Sequence, residues 1–205
     1  MAGSLFVISA PSGSGKSSLI QRLLRRNNCP RLDYSVSFTT RSPRPGEEDG
    51  RDYNFIDHAT FQEMIQNKGF LEWAQVFDNF YGTGREWVNQ RLQADRDILV
   101  DVDVVGAKNL KLSLPSAIML FMVPPNRLEL TNRLTKRNTE TPEEVARRLA
   151  KSNWEIEQRF FFDYLVINDN LEEAVLEVEN IINRQNGHLV VDREAFWPTF
   201  FQENQ

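Results

Sequence analysis

One cysteine, Cys29, and two histidines, His58 and His188, among 205 residues remove whole classes of chemistry from consideration. A lone cysteine forms no internal disulfide and suits a reducing compartment, so a cytoplasmic protein is expected. Two isolated histidines offer neither a metal site nor a catalytic base. No stretch approaches the roughly 20 apolar residues that span a bilayer. The apolar run Leu5 to Ile8 has no basic segment before it and is too short for a signal-peptide core. A net charge of −5 supplies no general positive field, so neither nucleic acid nor a membrane is expected as a partner. Internal repeats and low-complexity tracts are absent as well.

What is present is an ordinary globular composition, 40% hydrophobic and 26% charged, long enough to bury a substantial core. The arginines are unevenly placed. Arg41, Arg44 and Arg51 form one group, and Arg133, Arg137, Arg147 and Arg148 another. On an acidic chain such clusters suit small anionic ligands.

"LFVISA" (5–10) predicts a buried strand. "KSSLIQRLLRRN" (16–27) predicts a helix with Leu19, Ile20, Leu23 and Leu24 on one stripe. Residues 33–56 alternate and then turn at Pro43, Pro45 and "EEDG", which predicts short antiparallel strands. A helix is expected over 60–69 and a strand over 70–77, so residues 35–85 read as an inserted β-rich lobe. Beyond it, strands are expected over 97–105, 117–123 and 164–168, and helices over 125–138, 141–162 and 171–187. For the helix at 141, Thr141, Pro142 and Glu144 make a capping pattern, and Gly187 should close the last helix. Strands separated by helices imply an α/β fold with a parallel sheet covered on both faces. The aromatic tail 188–205, with Phe196, Trp197, Phe200 and Phe201, is expected to dock on its own domain.

Between the first strand and the first helix stands "SAPSGSGKSS" (9–18). It fits the phosphate-cradling pattern G-x-x-x-x-G-K-[ST] except that Ala10 takes the first glycine's place. The preceding strand and following amphipathic helix are the context this motif requires. Backbone N–H groups of such a loop converge on phosphate oxygens at a helix N-terminus. Lys16 supplies a cation for the β- and γ-phosphates and Ser17 a hydroxyl for Mg²⁺, while Gly13 and Gly15 allow close backbone approach. Ala10, at the end of the strand, is tolerated provided its φ stays negative.

In "ILVDVD" the alternation puts Asp101 and Asp103 on one strand face. Carboxylates at the end of a core strand can organise the waters of Mg²⁺ or bind a substrate group. Spacing does not settle which acid does which.

The inserted segments "SVSFTTRSPRPGEEDGRDYNF" and "FLEWAQVFDNFYGTGRE" closely resemble those of guanylate kinases, which phosphorylate GMP with ATP. The resemblance runs from the glycine loop through Asn168 and leaves the tail beyond Gly187 uncovered. It implies a three-layer P-loop kinase over residues 1–187. The core would be 1–34 and 86–187, the GMP-binding lobe 35–85, the lid about 133–150, and 188–205 an extension. It also implies that Arg41, Arg44, Tyr53 and Tyr81 hold the acceptor's phosphate, and that Ser37, Glu72, Thr83 and Asp101 lie on the guanine side. A carboxylate such as Glu72 accepts from N1–H and the 2-amino group in parallel, and Thr83 can donate to O6. The donor would be held by Ala10, Pro11, Ser12, Gly13, Ser14, Gly15, Lys16, Ser17 and Ser18, with Asn168 near its adenosine. Lys16 and the lid residues Arg133, Arg137 and Arg148 would stabilise the transferring phosphoryl group, and Mg²⁺ would rest on Ser17 and, through water, on Asp103. ATP and GMP are then the expected partners, with a homo-oligomer allowed. Val105 and Gly84 stand where many members carry Gln and Ser. An inactive guanylate-kinase-like module that binds phosphorylated proteins is the alternative, and the intact Lys16 and Ser17 weigh against it.

Overall fold

The computed structural model describes residues 3–76, 78–135, 142–184 and 193–202. The backbone divides into two compact units, one made of residues up to Ile8 with Arg31–Ile118, the other of Ser9–Pro30 with the chain from Met119 onward.

In the first unit β1 (Leu5–Ser9), β2 (Leu32–Ser35) and β7 (Asp97–Asp101) form a parallel ladder in the order β2-β7-β1. β1 is buried throughout and β7 almost so, as expected of central parallel strands covered on both faces. The register sets Ile8 beside Asp101, which puts that carboxylate at the carboxyl end of the sheet. The inserted lobe is a second, mixed sheet. It has the order β4-β3-β6-β5, with β3 (Phe38–Thr39), β4 (Asn54–Phe55), β5 (Phe70–Val76) and β6 (Asn79–Gly84). Its apolar face is closed by α2 (His58–Gln66), whose Phe61 is fully buried and stacks on Phe70 and Phe80. Asp57 caps α2 by accepting from Thr60 N at 2.7 Å, so the helix begins two residues before the expected start.

Three departures from the sequence reading fall in this unit. The short strands within 33–56 are not antiparallel to one another: β3 pairs in parallel with β4, and β2 joins β7 in the other sheet. Residues 85–93, given no element in that reading, form helix α3 (Arg85–Gln93). The strand expected over 97–105 stops at Asp101, and helix α4 (Val104–Ser113) starts three residues later. Asp103 therefore does not share a strand face with Asp101. It is the N-cap of α4, its Oδ1 accepting from Gly106 N at 2.9 Å. The β-branched run Val102, Val104, Val105 favours a strand locally, and a satisfied cap with buried Val104, Ala107 and Leu110 outweighs that preference.

In the second unit α1 (Lys16–Arg26) presents Leu19, Ile20 and Leu23 to the core. It is tied to α7 (Leu171–Ile182) by ion pairs from Arg22 to Glu172 and from Arg26 to Glu172 and Glu179. β8 (Ile118–Val123) pairs in parallel with β9 (Tyr164–Ile167). α5 (Arg127–Thr135) and α6 (Pro142–Glu157) follow β8, and α6 gives way to one 3-10 turn, Gln158–Phe161. Helix α7 ends at Ile182, and the Thr141 cap and the Gly187 stop lie outside the described residues. In the tail, α8 (Arg193–Phe200) buries Trp197 and Phe200, with the Arg159 guanidinium 4.7 Å from the Trp197 ring. Trp197 and Phe200 thus dock on their own unit, while Phe196 is half-buried and Phe201 exposed.

Candidate active site

The glycine loop curls between the end of β1 and the start of α1. Gly13 and Gly15 adopt φ of 88° and 89°, a region that L side chains avoid. At Gly15 a Cβ would also lie 2.5 Å from Asn168 Nδ2. That amide is buried at the end of β9 and donates to the Ser14 carbonyl at 2.7 Å, so it braces the loop from behind. Ala10 is not among the described non-glycine residues with positive φ, as its tolerance required, and its methyl is buried.

The loop from Ala10 to Ser18 lines a cavity of about 520 Å³ together with Arg133 and Glu155. The hydroxyl oxygens of Ser9 and Ser14 are buried without a hydrogen-bond partner among the described residues, which is costly unless an acceptor arrives. Arg148 reaches the loop directly, its Nη2 donating to Ser12 Oγ at 2.8 Å. Arg133 is held by Glu129 one turn earlier at 2.7 Å. Arg137 lies outside the described residues. Everything here fits a polyphosphate: backbone donors, a helix N-terminus, Lys16 at its first turn and two arginines.

The lobe brings together a second set of polar side chains. Glu72 on β5 and Thr83 on β6 face each other across the antiparallel ladder, and Thr83 Oγ1 donates to Glu72 Oε1 at 2.8 Å. Both are buried. Burial, aided by the charge of Asp103, raises the Glu72 carboxyl to about 7, while the Thr83 bond pulls the other way. A hydroxyl has one proton, so in this arrangement Thr83 gives it to Glu72 and not to a base oxygen.

Nearby, Arg41 lies over the Tyr53 ring at 5.4 Å, and the Tyr53 and Tyr81 rings meet edge to face at 6.0 Å. Glu47, passed over in the sequence as part of a turn, fixes this corner. It accepts from Arg41 Nη2 at 2.9 Å and from Arg44 N at 2.7 Å, and the Arg41 guanidinium holds its carboxyl below the usual range. Arg44's side chain is exposed. Ser37 is half-buried, its carbonyl accepting from Asn54 N at 2.9 Å. Burial raises the Tyr53 hydroxyl to about 12, with Asp101 adding to the effect, and it raises Tyr34 further still. Both phenols therefore stay neutral donors. Tyr34 and Glu155 are further polar residues that the sequence did not single out. Tyr34 sits on a strand that reads as ordinary β, and Glu155 on a helix face that reads as solvated.

Comparison with known proteins decides what this arrangement belongs to. The guanylate kinase family model matches residues 2–185. The chain belongs to the guanylate kinase family. It is 44% identical over 182 residues to the guanylate kinase of Dechloromonas aromatica, covering 89% of each chain. It is 42% identical to that of Escherichia coli K12, over 89% of this chain and 88% of the other. The crystal structure of guanylate kinase from Anaplasma phagocytophilum superposes with a TM-score of 0.73 at 29% identity, over 89% of this chain and 86% of that one. The match takes in both the glycine loop and the Glu72 lobe.

Proposed function

We propose that this enzyme transfers the γ-phosphate of ATP to GMP, giving ADP and GDP, with the glycine loop holding the donor and the Glu72 lobe reading the acceptor's base. The activity follows from near full-length similarity to guanylate kinases. That similarity also removes the reading of the chain as an inactive phosphoprotein-binding module. The division of labour rests above all on the buried Glu72 carboxylate. It is buried against a threonine, and a planar base with two adjacent donors would satisfy it.

In this reading Arg41, Arg44, Tyr53 and Tyr81 take the acceptor's phosphate, two cationic forks and two neutral phenols around one dianion. Ser37 and Asp101 complete the base and ribose side. The acceptor oxygen is already anionic, so no strong general base is required, and catalysis reduces to positioning and charge stabilisation. Lys16, Arg133 and Arg148 supply that charge, joined by Arg137. Asn168 serves the donor by bracing the loop.

A divalent cation, in our reading Mg²⁺, would be held by Ser17 and, through water, by Asp103, and would supply positive charge against the transferring phosphoryl group. Ser17, exposed in the first turn of α1, offers it a hydroxyl. No cluster of three or more His, Cys, Asp or Glu side chains able to hold a metal occurs among the described residues. That suits an ion carried mainly by nucleotide phosphates and water. Among the described residues, no helix is long and apolar enough to cross a membrane.

An ATP-dependent assay across GMP, dGMP, IMP, AMP and UMP tests the proposal. GMP should be turned over best and AMP and UMP barely, because neither adenine nor uracil offers Glu72 two adjacent donors; buried polar sites reject such analogues by about 10⁴-fold. Comparable turnover of AMP would refute it.

A further inference from the structure

Gly106 lies in the first turn of α4, where the helix faces the carboxylate of Glu72. Its backbone is ordinary, with no positive φ, so the turn itself has no need of glycine. Alanine is the better helix former. The reason for glycine is outside the helix. A Cβ at this position would stand 2.9 Å from Glu72 Oε2, 3.4 Å from Glu72 Cδ and 3.1 Å from Val102 Cβ. Real Cβ atoms do not approach an oxygen that closely.

From these distances we infer that Gly106 is a positioning residue for base selection, its missing side chain letting Glu72 lie flat against α4 in the orientation that reads the guanine 2-amino group. The inference rests on Glu72 being the base-reading acid of the proposed reaction. Its physical content is that the carboxylate is fixed from two sides. Thr83 holds Oε1 at 2.8 Å from across the ladder, and the first turn of α4 abuts Oε2. The turn is itself rigid. Asp103 Oδ1 accepts from Gly106 N at 2.9 Å, and Val104 and Ala107 on either side are fully buried. Neither wall gives easily, and Glu72 is buried between them, only 6% exposed. A methyl on Gly106 would therefore rotate or push out the carboxylate and spoil its parallel alignment with N1–H and the 2-amino group. It would touch nothing at the glycine loop. A general loosening of the lobe harms every acceptor alike. A turned carboxylate harms GMP more than IMP, because IMP has no 2-amino group to lose.

The test compares native protein with Gly106→Ala, measuring kcat/KM for GMP and for IMP, the KM for ATP, and the melting temperature. The GMP/IMP ratio should fall by about tenfold or more, the scale of losing one aligned hydrogen bond in a buried site. The KM for ATP should stay within about twofold. A folded Gly106→Ala protein with the native GMP/IMP ratio overturns the inference. Glu72→Gln, run beside it, separates the two levels. If Glu72→Gln keeps the native ratio, the base-reading role of Glu72 is lost and the inference with it. If Glu72→Gln collapses the ratio while Gly106→Ala keeps it, only the inference falls. Should Gly106→Ala fold poorly, the double variant with Glu72→Ala decides: recovered folding supports a clash with the carboxylate, and no recovery overturns it.

Discussion

Thr83 Oγ1 donates to Glu72 Oε1 at 2.8 Å, straight across the β5–β6 ladder, and this bond stabilises the charged form of a carboxyl that burial raises to about 7. Only the ionised form accepts from both guanine donors. The kcat/KM for GMP should therefore climb as pH rises through about 7. The phosphate of GMP titrates near pH ~6 and adds a step of its own, which Glu72→Gln should retain while losing the one near 7. Thr83→Val keeps the shape and removes the donor, so it should move the Glu72 step to higher pH. Superimposable pH profiles for native and Glu72→Gln proteins would remove Glu72 from base recognition.

The same shift makes a prediction about stability. The ordinary value for a Glu carboxyl is 4.5, against about 7 in the folded protein. Between those values the folded protein keeps a proton that the unfolded chain has released. Glu72 thus lowers stability progressively as pH rises from 4.5 to 7, and its full cost, at most about 3 kcal/mol, applies above 7. Glu72→Gln cannot ionise. In urea melts it should gain on the native protein between pH 5 and pH 8. An unchanged difference at the two pH values would contradict a buried, proton-holding Glu72.

The glycine loop and the central strands were legible in the sequence because each is a local signal: an unbroken apolar strand, a spaced glycine pair, an amphipathic stripe. Asp103 was misplaced for a physical reason. Val102, Val104 and Val105 prefer strands, and nothing local reveals that Asp103 will cap a helix buried through Val104, Ala107 and Leu110. Glu47 looked like turn material because its role depends on Arg41 and Arg44 folding back onto it. Glu72 was found only through resemblance, since an acid on a strand is mostly solvated. What marks it here, burial opposite Thr83, exists only in three dimensions.

Asn168 supplies a third prediction. Its amide bonds the Ser14 carbonyl at 2.7 Å and fills the space that a side chain on Gly15 would need. Asn168→Ala leaves a buried carbonyl without its donor, at about 1–3 kcal/mol. The loop should loosen, raising the KM for ATP by about tenfold and leaving that for GMP nearly unchanged. A rise in both KM values would point to damage beyond the loop.

Lys16 opens α1, which the buried Leu19, Ile20 and Leu23 anchor. Lys16→Ala should therefore melt within a few degrees of the native protein. Turnover should fall by about 10²-fold or more, the scale of removing one preorganised charge from a transition state. Near-native turnover at saturating ATP and GMP would show that the lysine does not serve the transferring phosphate.

Ala10 is the position where the loop departs from the phosphate-binding pattern, and its geometry says that the departure is harmless. Gly13 and Gly15 adopt positive φ; Ala10 does not, and the residue is only 7% exposed. Restoring the pattern with Ala10→Gly should bring no gain in ATP affinity, with KM within about twofold of native. It should cost stability, roughly 1–2 kcal/mol, from one lost buried methyl and from the greater freedom of the unfolded chain. A tenfold fall in the KM for ATP would instead mean that the methyl obstructs the donor, and that the loop's first glycine acts through space and not through its backbone angle.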